Sequence, residues 1–185
     1  RDQAQCWLVA RGGPEGVNRT MTANRPERPR VGVVGLAYGG YNLGEELGPA
    51  KLREMRATLA GAPVEMLTAK RFVLKESDAA EAGKQLAAEK VDCILAVLTT
   101  FVPDYYIVEL LRHADVPVFL WAVEREMQCI SVVAGPLITA TLFNLKKHCR
   151  LAGADIGDKD TLAEVVTFAR AAMLSGFNGL PADGQ

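Results

Sequence analysis

Histidine is nearly missing from this chain: only His113 and His148 occur in 185 residues. The four cysteines, at positions 6, 93, 129 and 149, form no CxxC pair and have no histidine at zinc-ligand spacing, which excludes a metal finger. Charge of one sign is lacking as well. Lysine plus arginine number 21 against 22 acidic residues, a formal net charge of -1. A chain this close to neutral has no basic surplus to displace counterions from nucleic acid or from an anionic membrane. The remainder, 49% hydrophobic and 23% charged, excludes disorder, collagen and coiled coil. The length is that of one domain able to bury a substantial core.

Charge divides unevenly along the chain. Residues 1–30 carry 6 basic and 3 acidic groups, whereas the rest is net acidic. The opening stretch has little apolar periodicity, and its longest apolar run, Cys6 to Ala10, is too short for a signal-peptide core or a membrane span. We expect residues 1–30 to be a disordered leader, with Arg1 to Thr20 not native and Met21 the natural start. Residues 31–178 are then the domain, and 179–185 begin a linker to a missing C-terminal domain. Without a secretory signal the Asn18-Arg19-Thr20 sequon carries little weight, and reduced structural cysteines in a cytoplasmic protein are expected.

From Val31 onward the pattern is regular. Val31 to Ala37 is almost continuously apolar, which marks a strand buried on both faces. Pro49 opens a helix with Leu52, Met55 and Leu59 on one face, closed by Gly61. A strand follows over Val64 to Ala69. Ser77 and Asp78 then offer caps, with Glu81 beyond them, for an alanine-rich helix to Lys90. Val91 to Leu98 is a third strand, Asp104 to Arg112 a helix and Val118 to Ala122 a fourth strand. A helix over Ser131 to Lys147 has Ile138, Leu142 and Leu145 as its stripe. A weak strand near Arg150 to Ala152 precedes a last helix, with Thr161 and Glu164 as a capping box. His113 and His148 both read as residues closing helices.

Strands alternating with helices predict an α/β fold: an open parallel five-stranded sheet with helices on both faces, in the order 2-1-3-4-5. Ligands of such sheets bind beyond the carboxyl ends of the strands, where the order reverses between strands one and three. The loops of interest are therefore Leu36 to Glu46, Thr99 to Asp104 and Trp121 to Ile130. They hold neither GxGxxG against the first strand nor GxxxxGK[ST], which speaks against dinucleotide and nucleoside triphosphate sites. They do hold Tyr38 and Tyr41, then Thr99, Thr100 and Phe101, then Trp121 with Glu124, Arg125 and Glu126. Aromatic faces cover the C–H surface of a sugar, and hydroxyls and carboxylates fix its OH groups, so a polyol fits. The same residues also read as the rim of the core and a solvated turn. Neither histidine lies near a loop serine or cysteine, so no nucleophile is assigned.

Three segments together resemble the N-terminal, flavodoxin-like domain of the L-fucose and L-arabinose isomerase superfamily. They are Val31 to Ala37 with Tyr41-Asn-Leu-Gly-Glu-Glu46, Val91 to Leu95 with Thr99-Thr-Phe-Val-Pro103, and Pro117 to Ala122. The resemblance covers about Pro29 to Phe177. It implies an aldose-ketose isomerase working through an ene-diol, with Mn2+ polarising the substrate oxygens and a carboxylate moving the proton. It places the metal ligands and base in later domains and makes this domain a cover over a neighbouring subunit's pocket in a homo-oligomer. Tyr38, Thr100, Phe101 and Glu124 are then the substrate-facing residues. No catalytic residue and no metal ligand is assigned within the chain, which is expected to be inactive alone. A stand-alone module that binds a small ligand or another subunit is the alternative. An in-frame continuation after Gln185 favours the first reading, and a native stop codon the second.

Overall fold

The computed structural model describes residues 28–40, 45–124 and 130–176. Residues 1–27 of the expected leader, Cys6 among them, Tyr41, Arg125, Glu126, Cys129 and the linker at 179–185 lie outside these, whereas Arg30, expected in the leader, is the first strand residue. The chain forms five strands, β1 (Arg30–Leu36), β2 (Glu65–Thr68), β3 (Cys93–Leu98), β4 (Val118–Val123) and β5 (Cys149–Ala154). Between and after them lie α1 (Gly48–Leu59), α2 (Glu76–Ala88), α3 (Asp104–His113), α4 (Ser131–Asn144) and α5 (Lys159–Ser175), with a 3-10 turn over Glu45–Leu47. All strand pairs are parallel and their order is β2-β1-β3-β4-β5. This is the α/β, flavodoxin-like open sheet that the alternation of elements implies.

The core lies in two layers, one on each side of the sheet. Leu86 of α2, Ile107 and Leu110 of α3, and Ile138 and Leu142 of α4 pack with Val34, Ile94 and Leu120 on one face. Met55 and Leu59 of α1 and Val165 and Ala169 of α5 pack with Val33, Leu95 and Trp121 on the other. Being covered on both sides, β3 and β4 are buried at every residue. Their continuous apolar runs have this cause. Among the described residues no helix is long and apolar enough to cross a membrane.

Several local expectations are corrected. Gly61 does not close α1 in a left-handed conformation; Ala60 does so in ordinary helical geometry, its N–H bonded to the Ala57 carbonyl. Lys75 is the N-cap residue of α2, and Asp78 sits inside the first turn, its carboxylate accepting the Leu74 N–H at 3.2 Å. The cap of α5 is Asp158, not Thr161: its carboxylate accepts the Thr161 N–H at 2.7 Å. The helix α4 stops at Asn144, which leaves Leu145 exposed and puts His148 against the start of β5 instead of closing a helix. The strand β5 itself runs six residues and begins at Cys149, which therefore lies on a strand.

Candidate functional site

At the carboxyl end of the sheet the reversal of strand order separates the chain leaving β1 from the chain leaving β3. A backbone bond spans that opening, since the Tyr38 N–H donates to the Phe101 carbonyl at 2.9 Å. Their rings meet edge to face with centroids 6.4 Å apart, a favoured aromatic geometry. Both side chains are half-buried against the core on the α2–α3–α4 face. Two residues from separate sequence segments thus form one rim.

The rim is larger than the loop residues alone indicate. Tyr106, on the first turn of α3, stands 6.3 Å from the Tyr38 ring and 4.9 Å from that of Tyr105. Its hydroxyl donates to the Leu74 carbonyl at 2.8 Å, tying α3 to the loop after β2. Burial, helped by the neighbouring Tyr105 oxygen, pushes the Tyr106 phenol up to about 12. Sequence reasoning missed Tyr105 and Tyr106 because they belong to a helix and not to a loop. The Pro103-Asp104 helix start just before them was the available signal.

The hydroxyls sit differently. Thr99 is fully buried, its hydroxyl donating to the Leu36 carbonyl at 3.1 Å, where it joins β3 to β1. Thr100 likewise exposes none of its surface. Within this structure neither hydroxyl faces solvent. Asp104 accepts a 2.6 Å bond from the Thr141 hydroxyl, linking α3 to α4.

Glu124 is exposed at the end of β4, and its N–H donates to the Ala154 carbonyl of β5 at 3.3 Å. Its carboxylate rests against the open face of Gly153. Glu124 therefore stands on the β5 side of β4, whereas Tyr38 and Phe101 meet across β1 and β3. Beside it the Ser131 hydroxyl, at the start of α4, donates to the Val123 carbonyl. This end of the sheet thus presents an aromatic rim with a carboxylate one strand beyond Phe101 and two beyond Tyr38.

The remaining reactive groups have structural surroundings. Cys93 is buried in β3, where desolvation, with the Asp92 charge adding to it, pushes its thiol well above the usual range and leaves it protonated. Burial also raises Cys149. His113 closes α3 as expected, 3.3 Å from Glu109. Among the described residues no group of three or more His, Cys, Asp or Glu side chains is placed to hold a metal ion. In comparisons with known proteins, no family model and no curated protein matches this chain.

Proposed function

We propose that the chain is the N-terminal domain of a sugar ketol isomerase resembling the L-fucose and L-arabinose isomerases. Its part is to cover a polyol substrate and to make oligomer contacts, while Mn2+ and the proton-moving carboxylate come from other domains. The observation that carries this reading is the meeting of Tyr38 with Phe101. Two of the segments on which the resemblance rests come together at the position where open parallel sheets take their ligands. A rim of rings suits the C–H face of a sugar, and Glu124 supplies an acceptor for its hydroxyls.

The test is titration of the full chain with L-fucitol and L-arabinitol, followed by amide NMR. Shifts at Tyr38, Phe101 and Glu124 that vanish in Tyr38→Ala are expected. A spectrum unchanged at tens of millimolar polyol overturns the cover role. No isomerisation of L-fucose or L-arabinose is expected from the chain with added Mn2+, and turnover by pure protein overturns the assignment of the metal site to other domains.

A further inference from the structure

The strand β5 is an edge of the sheet, and among the described residues nothing pairs with its outer side. Exposed edges recruit further strands unless they are short, charged, bulged or interrupted by proline. The opposite edge, β2, has four residues, one of them Glu65 in an ion pair with Arg30. By contrast β5 has six residues and no proline. Its single charge, Arg150, is drawn onto Glu164 of α5 at 3.0 Å. The carbonyls of His148 and Ala154 accept from Val118 and Glu124, so the even-numbered residues face β4. The N–H and C=O groups of Cys149, Leu151 and Gly153 therefore point outward.

Among the described residues the outer flank of the helix above this edge is also unpartnered. From Ser131 to Leu145 there is no charged residue, and the helix is apolar all round, a composition normally found where every side is covered. One flank meets α3 through Thr141 and Asp104. A Cβ at Gly135 would lie 2.7 Å from Leu151 Cδ1, which fixes the side that faces β5. Val132, Pro136, Thr139 and Phe143 recur at spacings of four, three and four on the flank away from α3. Phe143, 79% exposed, lines a concavity with His148 at the start of β5.

We propose that this edge is where a second copy of the chain docks, with the two β5 strands antiparallel across a twofold axis and the two α4 helices packed along the Val132–Phe143 flank. Three features support a second copy. First, charge is polarised along β5. Lys146, Lys147, which also pairs with Asp115 at 2.7 Å, and His148 precede it, and Asp155, Asp158 and Asp160, with Lys159 among them, follow it. An antiparallel copy sets each basic end beside an acidic end, whereas a parallel neighbour matches like with like. With Leu151 on the axis, Cys149 lies opposite Gly153 and Lys147 opposite Asp155 of the second copy.

Second, the layers fit. Because α4 packs on both β4 and β5, its axis lies over the space between them. With strands about 4.8 Å apart, the two α4 axes would stand about 10 Å apart, a normal helix-packing distance. The six residues of β5 and the fourteen of α4 each span about 20 Å, so both layers run the length of the contact. Third, α5 packs mainly on β1 and β3 and reaches β5 through the Arg150–Glu164 pair, with a groove along Cys149, Arg150 and Phe168 beside it on the other face. The closed twofold arrangement also ends association at two copies. The inference does not depend on the sugar-isomerase reading, since polyol binding and self-association are measured separately.

Sedimentation of the full chain, with hydrogen exchange read by NMR, tests the proposal. The wild-type chain is expected to sediment as a dimer. Phe143→Glu is expected to lose the dimer while keeping its circular dichroism and thermal transition, because the side chain is already exposed. Leu137→Glu, also on α4 but off the flank, is expected to keep it. In the dimer the outward amides of Cys149, Leu151 and Gly153 exchange slowly, and in Phe143→Glu they exchange fast. Those of Arg150, Ala152 and Ala154 stay protected in both. A wild-type monomer at high concentration, a dimer that survives Phe143→Glu, or fast exchange at Leu151 in the wild type overturns it.

Discussion

The Glu124 carboxylate packs against Gly153, in the space that a Cβ on residue 153 would occupy. A side chain at the end of β4 thus depends on the absence of one on β5. The atom displaced by Gly153→Ala is the far end of a flexible side chain, so little stability is at stake. The urea midpoint is expected to change by no more than about 0.5 kcal/mol equivalent, as for other surface changes. In the polyol titration, the response at Glu124 is expected to be lost in this variant while those at Tyr38 and Phe101 remain.

Gly135 and Leu151 behave differently, because both lie within the packed layer between α4 and β5. With 2.7 Å between a new Cβ and Leu151 Cδ1, the end of a half-buried side chain, Gly135→Ala is expected to cost no more than about 1 kcal/mol, overpacking being partly offset by the helix propensity of alanine. Leu151→Ala removes the clashing atoms. The double variant, measured by denaturation in urea, is therefore expected to be more stable than the sum of the single effects predicts.

The bond from Tyr106 to the Leu74 carbonyl joins α3 to the loop after β2. Tyr106→Phe is expected to lose about 1 kcal/mol, the usual net value of such a bond. The folded phenol is raised to about 12 from an ordinary 10, so folding favours its neutral form. This contribution is complete below pH 10 and is lost as pH rises towards 12. Denaturant midpoints across that window are expected to fall more steeply in the wild type than in Tyr106→Phe.

Asp158 caps α5, and the Thr161 N–H holds its carboxyl below the usual carboxylate range. A lowered folded value means that the contribution is present above the ordinary value of 3.8 and is lost as pH falls through the folded one. Asp158→Ala is expected to lower the thermal midpoint at pH 7 by a few degrees and to flatten the acid side of the stability profile. Asp158→Asn keeps an acceptor at the cap and is expected to retain most of the midpoint at pH 7.

How much of this was legible in the sequence varied with burial. The strands β1, β3 and β4 stood out because burial on both faces demands apolar residues throughout. The edge strand β5 looked short and weak, since none of its residues is fully buried and a continuous apolar run is not required of it. Thr161 was expected as the cap of α5 because a capping box names residue types, yet the cap is Asp158, which accepts the N–H of that same Thr161. The partnership of Tyr38 with Phe101 was legible only as two loops pointing to one end of a sheet. Tyr106 was hidden by its place in a helical stripe.

The order of elements, the parallel sheet and the two-sided core were determined by the sequence alone, because periodicity and chain order are local properties that right-handed crossovers convert into one topology. The burial of Thr99 and Thr100, the position of Glu124 over Gly153 and the bare flank of α4 were decided by tertiary structure. A helix apolar on every side, such as α4, does not encode which side faces the sheet. That choice follows from the close approach that Gly135 allows over Leu151 and from the bond between Thr141 and Asp104, contacts between residues distant in the chain.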